Sequence, residues 1–306
     1  MTGRRTVRIV VHGKAAGRPE IRGAVATLRE RGHAVEVRVT WEGGDAALFA
    51  IEAATQGIDT VVAGGGDGTI NEVASGLLGA VRGLGRCPSL GILPLGTAND
   101  FARSAGIPLE PRAALELVTA VEPVAVDVGR ADDRVFVNVA TGGFGTQVTA
   151  RTPEPVKKLL GGAAYLVTGL TRFSSIRPVP TAFTGPEFSW EGPVLVMAVG
   201  NGRQAGGGHV LCPDATVDDG LLDLRILPDV PREELGGVLQ RILTGGIDAL
   251  ESIVVSARLP WVEVEAAQPI QVNLDGEPIS STACRFDVLP GALRIHLPEG
   301  CPLVGG

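Results

Sequence analysis

Over the first 120 residues, short apolar runs of two kinds alternate. Residues 7–12, 34–39, 60–63 and 89–93 are brief, rich in β-branched side chains, and read as strands. Residues 19–31 place Ile21, Val25 and Leu28 on one helical face, and 46–55, 70–78, 100–105 and 112–120 also read as helices. This βα alternation predicts an α/β domain with a parallel sheet and helices on both faces. Ligands of such sheets sit at the carboxyl ends of the strands. Thr40 and the turns 64–69 and 94–99 fall at those ends.

Near 122–128 the pattern changes. Short alternating runs follow at 135–139, 194–199, 222–226, 261–265, 270–273, 284–289 and 293–297, separated by turn residues. They predict a mainly-β sandwich or barrel, interrupted by helical segments near 154–172 and 231–243. The expected division is 1–124 and 125–306, with the last residues free to pack back on the first domain.

Composition narrows the function. The 306 residues carry 27 Lys+Arg against 34 Asp+Glu, a net charge of −7. That balance argues against a nucleic-acid partner, which needs basic surface. Cys87, Cys212, Cys284 and Cys301 are scattered, without zinc or redox spacing, and read as thiols of a reducing cytosol. No apolar stretch reaches the roughly 18–20 residues of a membrane span. The run after Met1–Arg5 is too short for a signal-peptide core. The expectation is a cytoplasmic protein.

The chemistry concentrates in Gly64-Gly65-Gly66-Asp67-Gly68-Thr69-Ile70-Asn71-Glu72, a strand end that turns through glycines into a helix. The glycines let a ligand approach the backbone, and the helix end favours an anion. Thr69 with Glu72 also fits a capping box, which is a purely structural reading. Asp67 has no such local role. An acid among phosphate-binding glycines points to a metal-bound phosphate, hence to a kinase. The turn Leu93-Pro94-Leu95-Gly96-Thr97-Ala98-Asn99-Asp100 repeats the theme, with Thr97 and Asn99 as nucleotide contacts or Thr97 as a cap boxed by Asp100.

Taken together, GGGDGTINEV and LGILPLGTANDFA resemble the diacylglycerol-kinase-type catalytic domain of bacterial lipid kinases, and more narrowly the YegS group. The resemblance continues through Asn138–Gly145, Gly200–Gly208, Asp218–Leu222 and Asn273–Pro278, and so spans nearly the whole chain. It implies an NAD-kinase- and phosphofructokinase-like first domain, a β-sandwich second domain that holds metal and lipid, and an active site in the cleft between them. It implies ATP contacts from Thr40, from Gly66, Asp67, Gly68, Thr69, Ile70, Asn71 and Glu72, and from Thr97. It implies Mg²⁺ at Thr216, Asp219 and Leu221, with Ca²⁺ a second candidate for that site. It makes Glu277 the general base, with Asp275 as runner-up, and adds Asp67 to the catalytic residues. By themselves, Asp218-Asp219-Gly220 reads as an ordinary acidic turn and Asp275-Gly276-Glu277 as a hairpin turn.

The implied function is transfer of the ATP γ-phosphate to a free hydroxyl of a lipid, phosphatidylglycerol or diacylglycerol. A soluble-substrate kinase of the NAD kinase type and a non-catalytic lipid- or nucleotide-binding protein are the alternatives. Residues 159–171 hold no charge, and Arg151, Lys157, Lys158, Arg172 and Arg177 surround them against one acid, Glu154. That segment is either a membrane-facing helix for peripheral contact at the inner membrane face, or a buried helix with snorkelling ends. The Arg203 and Gly206–Gly208 segment is either a mobile basic loop or a connector. Oligomeric state is left open. His12, His33, His209 and His296 show no ligand spacing and receive no role.

Overall fold

The computed structural model describes residues 4–84, 87–143, 178–229, 234, 237 and 253–305. The segments expected to be helical near 154–172 and 231–243, with the proposed membrane-facing stretch, lie almost wholly outside the described residues. The chain forms two units, one of Met1–Val128, Thr216–Gly220 and Leu289–Gly306, the other of Gly129–Ala215 and Leu221–Val288.

In the first unit, β1 (Thr6–Val11), β2 (Ala34–Val39), β3 (Thr60–Gly65) and β4 (Ser89–Pro94) pair in parallel in the order β4-β3-β1-β2. β3 and β4 are buried along their whole length, as expected of central strands covered on both faces. Ile295 continues the sheet beyond β4, in parallel register with Leu90. The helices are α1 (Pro19–Glu30), α2 (Asp45–Thr55), α3 (Asp67–Leu84), α4 (Asp100–Ser104) and α5 (Pro111–Ala120).

Proline opens α1 and α5 at positions where no N–H is required. The Glu110 carboxylate caps α5 by accepting from the amides of Arg112 (3.0 Å) and Ala113 (2.7 Å). Ile21, Ala24, Val25 and Leu28 of α1 pack with Ala114, Leu115 and Val118 of α5 over Val7, Ile9, Val11 and Val62. Each fully buried Val, Leu or Ile side chain among them contributes about 1.5–3 kcal/mol. α2 lies against α3, and there is no room between them. A Cβ on Gly76 would stand 2.4 Å from the Ala47 carbonyl oxygen.

The second unit is strand-rich. Its elements are β6 (Arg134–Phe136), β7 (Val139–Gly143), β8 (Val179–Gly185), β9 (Phe188–Gly200), β10 (Gln204–Ala205), β11 (His209–Val210), β12 (Leu222–Pro228), β13 (Val255–Leu259) and β14 (Trp261–Leu274). β5 (Val124–Ala131) precedes them and β15 (Glu277–Ile295) follows. The long antiparallel strands β9 and β14 each pair with β8 along one half and with β7 along the other. β12 joins β9 to β13, and β14 turns into β15. The core holds Phe136, Phe183, Met197, Leu224, Val264 and Phe286, with Phe136 and Phe286 edge to face at 6.3 Å between ring centres.

The α/β and β-rich expectation agrees with this architecture. Three strand assignments change. The strand expected at 135–139 is two strands, because the Asp275 carboxylate accepts from the amides of Val137 (2.5 Å), Asn138 (3.1 Å) and Val139 (3.0 Å) and takes them out of the ladder. The runs 261–265 and 270–273 are one strand, β14, whose register shifts between Glu265 and Ile270, where Pro269 cannot donate. The runs 284–289 and 293–297 are likewise joined in β15, where Gly291 at φ 57° takes the left-handed conformation inside the strand.

Two substitutions test this packing. Gly76→Val is expected to force α2 and α3 apart and to cost about 1–3 kcal/mol, seen as a lower urea midpoint at unchanged slope. Asp275→Ala leaves three backbone donors without their acceptor and is expected to cost several kcal/mol, since each stranded buried group costs about 1–3 kcal/mol. Far-UV circular dichroism with urea titration reads both. An unchanged midpoint for Asp275→Ala would contradict the anchoring role.

Candidate active site

The turn after β3 and the turn after β4 are one assembly. The amides of Leu95 (2.8 Å) and Gly96 (3.2 Å) both donate to the Gly65 carbonyl. A Cβ on Gly96 would come within 2.5 Å of the Gly66 Cα, so only glycine permits this approach. The Asp67 carboxylate completes the join, accepting from the amides of Asp100 (3.0 Å) and Phe101 (3.0 Å). It therefore caps α4 from a neighbouring turn. Burial holds its carboxyl above the usual carboxylate range, while the two N–H groups pull the other way.

This corrects the view that Asp67 has no structural role. Both capping boxes are corrected with it. α3 begins at Asp67, so Thr69 lies inside the first turn, packed against Gly65. Glu72 reaches outward and accepts from the Gly44 amide at 3.1 Å. α4 begins at Asp100 after Asn99, which sits at φ 54° and makes no side-chain cap bond. Instead the Asn99 amide closes its own turn, with Oδ1 accepting from Gly96 N (2.9 Å) and Nδ2 donating to Gly96 O (3.1 Å). Thr97 is exposed on that turn rather than capping.

The other expected nucleotide residues sort by burial. Ile70 and Asn71 are buried in the first turn of α3. Thr40, just past β2, is buried, and its hydroxyl accepts from the Gly13 amide at 3.3 Å. Gly68 faces open space, since a Cβ there would meet nothing within 4 Å. The backbone at Gly66–Gly68 and the N-terminal end of the 18-residue α3 are thus accessible to a phosphate. The loop Gly13–Ala15 at the end of β1, which sequence reasoning passed over, belongs to the same set of strand ends. Gly13 is required there, because a Cβ would lie 2.5 Å from the Thr40 carbonyl oxygen.

The expected metal residues lie in one loop. The Thr216 hydroxyl donates a short hydrogen bond to the Asp219 carboxylate, so two oxygen donors converge. Gly220, at φ 72°, turns the chain into Leu221. The loop is held by an acid that sequence reasoning also missed. Asp127 is buried, and its two oxygens accept from Gly220 N and Gly291 N, each at 2.7 Å. The one signal for it is a charge inside the apolar run Val124–Val128. Asp218 accepts from Gly305 N at 2.9 Å. The donor set is all oxygen, which fits a hard cation. Among the described residues no group of three or more His, Cys, Asp or Glu side chains could hold a metal. An ion here would rest on one carboxylate, a hydroxyl, main-chain carbonyls and water.

Glu277 opens β15 opposite Leu274 and is exposed. The two-residue turn before it, Asp275 (φ 49°) and Gly276 (φ 108°), takes the left-handed conformations of a tight hairpin. The three backbone donors on Asp275 separate the two acids. Asp275 anchors backbone, and Glu277 presents its carboxylate to solvent.

Comparison with known proteins gives the family. Residues 6–131 match the diacylglycerol kinase catalytic domain, and residues 138–297 match the YegS C-terminal NAD kinase beta sandwich-like domain. A protein of Pseudomonas aeruginosa (strain UCBPP-PA14) named probable lipid kinase YegS-like is 57% identical over 298 residues, 97% of this chain and 96% of that one. A protein of the same name from Xanthomonas euvesicatoria pv. vesicatoria (strain 85-10) is 49% identical, covering 98% of each chain. The crystal structure of a diacylglycerol kinase from Bacillus anthracis str. Sterne superposes with a TM-score of 0.78 over 98% of this chain and 99% of that one. At 24% identity it speaks to the fold. Two family domains that together span most of the chain, and relatives at 49–57% identity over nearly its whole length, place this protein in the YegS-like family of lipid kinases built on a diacylglycerol kinase catalytic domain.

Proposed function

We propose that the protein transfers the γ-phosphate of ATP to a free hydroxyl of a membrane lipid in a Mg²⁺-dependent reaction, with phosphatidylglycerol or diacylglycerol as acceptor. The observation that carries this reading is the joined pair of glycine turns at adjacent strand ends, clamped by Asp67, beside the accessible N-terminal end of α3. The backbone of Gly66–Gly68 cradles phosphate oxygens, and Thr40, Asn71, Glu72 and Thr97 complete the nucleotide contacts. Asp67 contributes by fixing the geometry of both turns. Thr216, Asp219 and Leu221 would hold the divalent ion, which would supply positive charge to offset that of the phosphates. Ca²⁺ is an alternative occupant.

Glu277 accepts the proton of the attacking hydroxyl. It is exposed, and the turn before it is rigidly anchored by Asp275, so its carboxylate is presented and unburdened by backbone donors of that anchor. The names of the relatives support a lipid acceptor. Among the described residues no helix is long and apolar enough to cross a membrane. We read the contact with the lipid as peripheral, at the inner membrane face. The likeness of the second family domain to the NAD kinase sandwich favours, as second reading, a kinase of a soluble acceptor.

Incubation with labelled ATP, Mg²⁺ and a bacterial lipid extract, followed by mass spectrometry, is expected to yield a phosphorylated lipid. Glu277→Gln is expected to lower turnover by about 10²-fold or more while sparing ATP binding measured by calorimetry. A fully active Glu277→Gln protein would exclude this base. Phosphorylation of NAD with no lipid product would establish the soluble-acceptor reading instead.

A further inference from the structure

The first unit carries a second polar cavity that neither the glycine turns nor the metal loop uses. It lies at the amino ends of the parallel strands, away from the carboxyl ends where those turns sit, and has a volume of about 500 Å³. Arg4, Arg5 and Arg294 line it, against two carboxylates, Asp59 and Glu122, in a chain whose net charge is −7.

The guanidiniums of Arg5 and Arg294 bond to main-chain carbonyls. Arg5 donates to the carbonyls of Val118 and Val121, each at 3.4 Å, and Arg294 donates to the Pro123 carbonyl at 3.0 Å. Such anchoring fixes position without cancelling charge. The Asp59 carboxylate is engaged by the amide (2.9 Å) and hydroxyl (2.8 Å) of Thr6. Glu122 does pair with Arg5 at 2.6 Å, but its side chain is 74% exposed, so the pair is screened and an incoming anion can replace it. Behind Arg5 lies a buried polar layer. His296 Nδ1 faces the Val121 carbonyl at 3.0 Å and therefore carries the proton, which leaves Nε2 to accept from Ser89 Oγ at 2.9 Å. Burial pushes the His296 pKa down to about 4, so the ring is neutral and the positive field of the cavity belongs to the arginines.

We propose that this cavity is a binding site for a phosphate ester, held by Arg5, Arg4 and Arg294 through charge-assisted hydrogen bonds. Arginine forks match phosphate oxygens, and Glu122 marks the position a phosphate takes over. A volume of about 500 Å³ leaves room beside a phosphate for a short organic body. A soluble phosphomonoester and a phospholipid headgroup share this chemistry. The site does not depend on phosphoryl transfer at the glycine turns.

Cys87 also lines the cavity and reports its occupancy. It is half-buried, whereas Cys212, Cys284 and Cys301 are buried. Alkylation of Cys87 by a maleimide at mildly alkaline pH, followed by peptide mass spectrometry, is measured with millimolar glycerol 3-phosphate, with glycerol, and with phosphatidylglycerol vesicles. The expected result is a severalfold slowing by glycerol 3-phosphate, by the vesicles or by both, but not by glycerol. The arm that protects identifies the source of the ester. An Arg4→Glu, Arg294→Glu double variant reverses two exposed charges and is expected to abolish the protection while keeping the wild-type urea midpoint. Equal labelling rates in every arm, protection by glycerol itself, or protection undiminished in the double variant would overturn the proposal.

Discussion

The hydrogen bonds from the amides of Asp100 and Phe101 to the Asp67 carboxylate hold the two glycine turns of this protein together. Without them α4 loses the acceptor for its first amides and the two glycine turns lose their side-chain link. Two bonds to the Gly65 carbonyl and the glycine-on-glycine approach of Gly66 and Gly96 also join the turns. Burial penalises the Asp67 charge, and the two donors offset part of that penalty. An acid thus stands at the mouth of the proposed phosphate turn for a structural reason, whatever further part it plays in chemistry.

The same device recurs twice. Asp275 collects three backbone donors and splits what would be one strand into β6 and β7. Asp127 collects Gly220 and Gly291 and so shapes the loop that carries Thr216 and Asp219. In each case a carboxylate satisfies main-chain groups that irregular backbone would leave stranded. Glu277 and Asp219, close to two of these anchored segments, are exposed instead. That division separates positioning acids from those proposed to touch substrate or metal.

Much of the fold was legible because the first 120 residues keep one period per element. The limits of α1, α2 and β2 follow directly from Ile21, Val25 and Leu28, from the alanines of 46–54, and from the alternation of 34–39. What the sequence concealed depends on distant partners. α3 starts at Asp67 rather than 70 because tertiary bonds organise a glycine turn of poor helical propensity. β5 was hidden by Asp127 and Gly129, whose roles become visible only through Gly291 and Phe136. β8 was hidden by Pro180 and Gly185. At the site, the glycine turns were legible from composition alone. Asp127 was not, since a charge inside an apolar run does not tell which distant backbone donors it captures.

The most direct measurement is amide hydrogen exchange of Asp100 and Phe101 in wild type and Asp67→Ala, read together with ATP binding by calorimetry. The account expects these two amides to lose protection, with the strands β1 and β3 unchanged, and nucleotide affinity to fall with them. Unchanged exchange at Asp100 and Phe101, with wild-type affinity, would contradict it.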